Sequence, residues 1–219
     1  MRSDALESEP IEALRAKLRN DSTPVPTVDF GAGSTGTINT VSGITRHSLK
    51  RKKHARAMAA IAMHIKAQSA LELGTSLGLT TAYLAEHASQ VWTMEGNPHI
   101  AELASNHWNQ LDLQNIQMAI GPFDASLNKL VEGIGALDLV FIDGNHRGDA
   151  LRKYVSQIEP YLRKDGVIVC DDIHWSKDME LAWNALCLDP KWTLKVDFYE
   201  WGLLTKNPGL KPEFRCIRF

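Results

Sequence analysis

The sequence has no run of 18 apolar residues, so no part of it reads as a helix that crosses a bilayer. Its first residues, Met1-Arg2-Ser3-Asp4-Ala5-Leu6-Glu7-Ser8, are charged and lack the apolar centre of a secretory signal. Cysteine is scarce. Cys170, Cys187 and Cys216 are far apart and form no CxxC pair, which argues against a disulfide scaffold or a thiolate metal site. Reduced thiols in a cytoplasmic protein are the expectation. No sign of charge dominates: 24 Lys and Arg stand against 26 Asp and Glu, a formal net charge of -2. That balance predicts neither nucleic acid nor an anionic membrane as partner. Internal repeats and low-complexity tracts are also missing. What remains is 219 residues at 44% hydrophobic, enough to bury one sizeable core.

Three textures follow one another along the chain. Ile11, Leu14 and Leu18 share one helical face within residues 11–19. Pro24 and Pro26 then lead into a Gly/Ser/Thr-rich stretch, Gly31 to Gly43, which reads as loop. A second helix is expected from about Ser48 to Lys66, with Met58, Ile61, Ala62 and Ile65 as its apolar side. Its first half is basic, with Arg46, His47, Lys50, Arg51, Lys52, Lys53, His54 and Arg56. Residues 1–66 thus read as an N-terminal helical and loop extension, and residues 67–219 as the main domain.

From Ser69 onward short apolar runs alternate with helices. Strands are expected at Ala70–Leu73, Val91–Glu95, Ile116–Ile120, Leu137–Ile142 and Val167–Cys170. Helices are expected near 78–87, 98–111, 124–131, 147–158 and 177–187. This order implies right-handed βαβ units and a parallel sheet with helices on both faces. The end differs: Trp192–Phe198 and Trp201–Lys206 are strand-like but separated only by Tyr199-Glu200. So short a link joins only antiparallel neighbours. The expected fold is a Rossmann-like α/β open sheet of seven strands, mostly parallel, with a C-terminal antiparallel hairpin. Phe214–Arg218 also reads as a strand.

The first strand and its turn read Ala70-Leu71-Glu72-Leu73-Gly74-Thr75-Ser76-Leu77-Gly78-Leu79-Thr80. Gly74 lets backbone approach a ligand closely, and Gly78 opens the next helix. In open α/β sheets ligands bind beyond the carboxyl ends of the strands. Glu95 ends the second strand, 21 residues after Gly74, where a carboxylate can accept both hydroxyls of a ribose. A dinucleotide fingerprint needs a middle glycine to admit the pyrophosphate, and here that position is Ser76. AdoMet has no phosphate and does not need it. The bland alternative is a turn whose glycines serve packing alone. A similar-looking stretch, Asp29-Phe30-Gly31-Ala32-Gly33-Ser34, follows prolines rather than a strand and fails the same test.

The pattern Glu72-x-Gly74-x-x-x-Gly78-x-Thr80, with Glu95 downstream, resembles motifs I and II of the class I AdoMet-dependent methyltransferases. The resemblance implies cofactor contacts from Glu72, Gly74, Thr75, Ser76, Gly78, Thr80, Glu95 and Gly96. It also places Phe123 on the adenine ring and Asp124 at its amino group. Pro122 and Asp124 fit a helix start equally well.

Two further strand ends carry acids: Phe141-Ile142-Asp143-Gly144-Asn145-His146 and Cys170-Asp171-Asp172-Ile173-His174-Trp175. If these strands are parallel neighbours, Asp143, Asp171 and Asp172 converge, and three carboxylates need a hard cation such as Mg²⁺. The two segments look like the metal-ligand segments of the catechol and caffeoyl-CoA O-methyltransferases. They resemble still more closely the bacterial sugar and macrolide O-methyltransferases (methyltransferase domain 24 type). That likeness implies metal ligands at Asp143, Asp171 and Asp172, with Asp143 also beside the cofactor. Asp172 stands where the catechol enzymes have Asn, and the loop Gly144-Asn145-His146-Arg147 lacks their Lys. His146, three residues after Asp143, is the candidate general base, against a plain loop residue. His174 and Trp175 are candidates for the acceptor pocket.

The expected function is AdoMet-dependent O-methylation of a hydroxyl on a small molecule or sugar, assisted by Mg²⁺. Its rivals are an NAD(P)-dependent oxidoreductase, opposed by Ser76, and a non-catalytic AdoMet-binding module, opposed by the acids at three strand ends. A homodimer is left open. The basic run at 46–56 reads first as a solvated face and second as a lid over an anionic acceptor.

Overall fold

The structure is a computed structural model that describes residues 6–27 and 39–218. The stretch Asp29 to Ser34 lies outside the described residues. In chain order the elements are α1 (Glu9–Leu18), β1 (Pro24–Val25), β2 (Asn39–Thr40), α2 (Val41–His47), α3 (Lys52–Ile65), β3 (Ser69–Leu73), α4 (Leu79–Ala85), β4 (Gln90–Glu95) and α5 (Pro98–Gln110). They continue with β5 (Ile116–Ile120), α6 (Phe123–Ile134), β6 (Leu137–Ile142), α7 (Gly148–Ile158), β7 (Leu162–Asp171), α8 (Lys177–Leu188), β8 (Leu194–Asp197), β9 (Trp201–Thr205) and β10 (Glu213–Cys216). The main sheet has eight strands and is mostly parallel, and β1 and β2 form a separate antiparallel ribbon. This is the Rossmann-like α/β fold expected, with Glu213–Cys216 adding an eighth strand. Among the described residues no helix is long and apolar enough to cross a membrane.

The chain divides into two compact units. The first comprises Met1–Ala67 and Gly74–Ser126. Its strands β4 and β5 run parallel, with Glu95 opposite Ile120. One core joins the N-terminal helices to the helices that follow the glycine turn. Ile11, Leu14 and Leu18 of α1 pack with Val41 and Ile44 of α2, Ala55 and Ala59 of α3, Tyr83 of α4 and Trp108 of α5.

Here the structure departs from the expected N-terminal pattern in two places. Val41 to Gly43, read as the end of a loop, instead open helix α2, because Thr40 is a working N-cap whose Oγ1 accepts the Gly43 N–H at 3.0 Å. The basic run is also divided between two helices: α2 ends at His47, Ser48 and Leu49 both donate to the Ile44 carbonyl, and the helix expected from about Ser48 starts at Lys52. The stripe that α3 buries is Ala55, Met58, Ala59 and Ala62, about one turn earlier than Met58, Ile61, Ala62 and Ile65. Small residues sit there because α3 packs closely on α4.

The second unit comprises Gln68–Leu73 and Leu127–Phe219. Its strand order is β10, β8, β9, β7, β6, β3. β3, β6 and β7 pair in parallel, so Leu73, Ile142 and Cys170 stand level at their carboxyl ends. Strands buried on both faces need continuous apolar runs, and Leu-Val-Phe-Ile at 139–142 and Val-Ile-Val-Cys at 167–170 supply them. β9 is antiparallel to both β7 and β8, which is the hairpin read from the short link. Gly202 on β9 is a packing glycine: a Cβ there would stand 2.3 Å from the Trp183 ring of α8. β10 joins parallel to β8, its four residues all exposed.

Candidate functional site

The first cluster of candidate residues belongs to the first unit. Gly74 and Thr75 both donate their N–H groups to the Met94 carbonyl, at 3.0 and 3.2 Å, which ties the glycine turn to the end of β4. Thr75 Oγ1 meets Thr93 Oγ1 at 2.6 Å beneath it. Ser76 then adopts φ +50 and Gly78 φ +79, both in the left-handed region. The second of these positions excludes a side chain for a further reason. A Cβ on Gly78 would stand 2.5 Å from Trp108 Nε1, which donates to the Gly78 carbonyl at 2.8 Å. Gly78→Ala is expected to cost about 2–4 kcal/mol, the sum of left-handed strain and overpacking, read as a lower urea midpoint. A loss under about 0.5 kcal/mol would show that Trp108 yields freely.

Glu95 is the centre of this cluster. Its Oε2 accepts the Ser76 N–H at 2.9 Å and its Oε1 accepts the Asn97 N–H at 2.9 Å. Both oxygens are thereby fixed, and each keeps acceptor capacity for a further donor. Burial pushes the Glu95 pKa up, opposed by the N–H groups of Asn97, Ser76 and Gly96. The Ser76 hydroxyl is buried and has no hydrogen-bond partner among the described residues. A pair of ribose hydroxyls fits this donor and acceptor set, since they can give protons to the carboxylate. Gly121, at φ +128, donates to the Glu95 carbonyl at 2.8 Å and brings the start of α6 to the end of β4. There Phe123 is half-buried and Asp124 exposed. Thr80 is buried on α4.

Sequence reasoning passed over Asn97, Thr93 and Trp108. Asn97 was legible, because Asn followed by Pro is an N-cap and first-turn signature. In the structure its Oδ1 accepts the His99 N–H and its Nδ2 donates to the Pro26 carbonyl. The Trp108 contact spans 30 residues and left no local signal.

The second cluster lies in the second unit. Glu72, on β3, is wholly buried. Asp143 follows β6, its N–H donating to the Leu73 carbonyl at 2.8 Å. Asp143, His146 and Asp172 each bring one ligand atom within 4.8 Å of the others. His146 Nδ1 lies 3.4 Å from Asp172 Oδ2. Of the three expected carboxylates, this group brings together Asp143 and Asp172, and Asp171 stands outside it. It is the last residue of β7, 4% exposed, and neighbouring strand residues point to opposite faces. Asp172 leaves the strand at φ +53 and its carbonyl accepts the Trp175 N–H, so its side chain turns toward the loop after β6. Asn145, at φ +53 with Nδ2 donating to Tyr154, shapes that loop. Two carboxylates and an imidazole can hold a divalent cation, and the nitrogen donor suits Mn²⁺ as well as Mg²⁺.

His174 sits beyond this group. Its Nε2 lies 2.8 Å from Asp197 Oδ2, and its ring stacks on Tyr199 with centroids 5.3 Å apart. Trp175 is 73% exposed.

Residues 71–173 match a family model described as a methyltransferase domain. No curated protein matches the sequence. Among solved structures, cofactor-bound Rv0187 from MTB superposes with a TM-score of 0.69 at 19% identity, covering 91% of each chain. The O-methyltransferase TomG from Streptomyces achromogenes, in complex with SAM, gives 0.63 at 17% identity, over 72% of this chain and 81% of its own. The O-methyltransferase from Bacillus cereus in complex with SAH gives 0.62 at 17%, over 72% and 83%.

Proposed function

We propose, from the premise that residues 71–173 form a methyltransferase domain, that this chain transfers the methyl group of AdoMet to a hydroxyl of a small molecule or sugar. The observation that carries the hydroxyl as acceptor is the group Asp143, His146 and Asp172. AdoMet supplies an electrophilic methyl on a sulfonium, and a nucleophilic oxygen must be held in line with it. Glu95, fixed by the Ser76 and Asn97 N–H groups, takes the ribose. Asp143 and Asp172 are the residues that would hold a divalent cation, for which Mg²⁺ is the first choice. Bound there, it would supply a positive charge that favours the ionised form of an acceptor hydroxyl. His146 is the proton acceptor: its Nδ1 lies 3.4 Å from Asp172 Oδ2, which leaves Nε2 to take the proton.

Calorimetric titration tests the cofactor half of this reading. The chain should bind AdoMet and its demethylated product, and NAD far more weakly. Glu95→Ala should weaken AdoMet by about 1.5–3 kcal/mol, the scale of hydrogen bonds to a charged group. Tight NAD binding with no AdoMet signal would overturn the reading. Incubation with methyl-labelled AdoMet and a metabolite extract then identifies the acceptor by the label it gains.

A further inference from the structure

We propose that Asp178 is a positioning residue for His146. It caps the amino end of α7 from the neighbouring helix and so fixes the loop on which His146 stands. The proposal rests on the methyl-transfer reading only for the use to which His146 is put.

Asp143 to Arg147 form the loop between β6 and α7, and Asp172 to Ser176 the loop between β7 and α8. The two loops meet first where His146 Nδ1 lies 3.4 Å from Asp172 Oδ2. Their far ends meet again, where the Gly148 N–H donates to Asp178 Oδ2 at 2.6 Å. Gly148 is the first residue of α7 and Asp178 the second of α8. The segments that carry Asp143, His146 and Asp172 are therefore joined through their helix starts.

Two observations single out that second contact. α7 has no cap of its own, because Arg147 at its N-cap position makes no side-chain bond to the helix. A helix start without a cap needs an acceptor from elsewhere, and a carboxylate there also meets the positive end of the dipole. α8 is capped by its own Ser176, whose Oγ accepts the Met179 N–H at 3.2 Å, so Asp178 is left to serve α7. The other observation is the glycine at 148. A Cβ there would stand 2.4 Å from the Asp178 carbonyl oxygen and 2.8 Å from its Oδ1, so only glycine lets the two helix starts approach this closely.

From Gly148 the path to His146 is short. The Arg147 N–H donates to the Asn145 carbonyl at 2.6 Å, which closes a tight turn around His146. Asn145 holds a left-handed φ of +53, and its Nδ2 donates at 2.9 Å to the hydroxyl of Tyr154, a buried residue of α7. A shift of α7 at its start therefore moves both neighbours of His146, Arg147 through Gly148 and Asn145 through Tyr154. The His146 side chain is itself 37% exposed, so packing alone does not hold its ring, and the backbone beneath it sets where the ring can reach.

The test compares Asp178→Ala with Asp178→Asn, whose side-chain oxygen can still accept the Gly148 N–H. The imidazole resonances of His146, assigned in histidine-labelled protein by their loss in His146→Ala, need neither metal nor acceptor. They should shift in Asp178→Ala and return to the wild-type position in Asp178→Asn. Calorimetric titration with Mn²⁺ gives a second readout. Affinity should fall about 10-fold to 100-fold in Asp178→Ala and stay within about threefold in Asp178→Asn. AdoMet affinity should stay within about twofold in both variants, which shows that they are folded. An Asp178 with a merely structural role would lower the urea midpoint and leave the His146 resonances unmoved, and that result would overturn the proposal. Equal shifts in both variants would also overturn it, because charge and not the cap would then act on His146. A wild-type chain that binds no Mn²⁺ would sink the cation reading of Asp143 and Asp172, and the His146 resonances would still decide the role of Asp178.

Discussion

Asp172→Asn should reduce kcat by about 10²–10³-fold, the several kcal/mol that a cation contributes at a reacting oxygen, while AdoMet affinity stays within a few-fold. The effect is expected at Asp172 and Asp143 because these two carboxylates face His146 across less than 4.8 Å. EDTA should abolish turnover, and Mg²⁺ or Mn²⁺ should restore it. Stronger rescue by Mn²⁺ would place His146 nitrogen on the metal. His146→Ala separates the two roles of the imidazole: lost turnover with the ion still bound makes it the base, and a lost ion makes it a ligand. Asp171→Asn is the internal control. Its carboxylate is buried outside the group, so it should lower stability more than kcat. Full activity in the chelated enzyme would remove the cation from the reaction and leave the two carboxylates to bind substrate directly.

Asp197→Ala should destabilise the chain by about 3–5 kcal/mol, the cost of removing one partner from a buried charged network. Four donors converge on this one carboxylate. His174 Nε2 and Trp183 Nε1 reach Oδ2 at 2.8 and 3.2 Å, and the Tyr199 N–H and Arg218 Nη1 reach Oδ1 at 2.8 and 3.0 Å. Trp183 is wholly buried, so truncation strands its N–H without water. The same network fixes a pH dependence. Burial acts to raise the Asp197 pKa, but the bonds from His174, Tyr199 and Arg218 outweigh it and hold the group below the ordinary value of 3.8. A depressed carboxyl contributes stability that is complete above the unfolded pKa and is lost as pH falls through the folded one. Urea midpoints should therefore drop from about pH 4 downward in the wild-type chain, and drop less in Asp197→Ala. Parallel curves for the two proteins would show that other carboxyls carry the acid transition.

Tyr199 explains why that network is needed. It occupies φ +73 in the turn between β8 and β9, where such hairpins usually place glycine or asparagine. Its backbone N–H on Asp197, its stack on His174 and the Arg218 guanidinium 5.3 Å from its ring hold the strained position. The short Tyr199-Glu200 link announced a hairpin, but nothing local announced Asp197 as its anchor.

By itself the sequence determined the parts whose physics is local. Apolar runs bounded by turns set β3, β6 and the second half of β7, because a strand buried on two faces must be continuous in hydrophobicity. The spacing of Gly74, Gly78 and Glu95 located the loop that ties the turn to β4, because strand lengths and a βα turn leave little freedom. Tertiary structure decided what depends on direction rather than position. Which of two adjacent acids joins Asp143 was settled by the left-handed turn of Asp172 at the end of β7, and a one-residue step along a strand reverses a side chain's face. Whether the basic run formed one helix or two was settled by the carbonyl of Ile44, which accepts both Ser48 and Leu49 and stops α2. Pairing between residues far apart, Trp108 with Gly78 or Trp183 with Asp197, leaves no period in the sequence, since only the folded chain brings those atoms within reach.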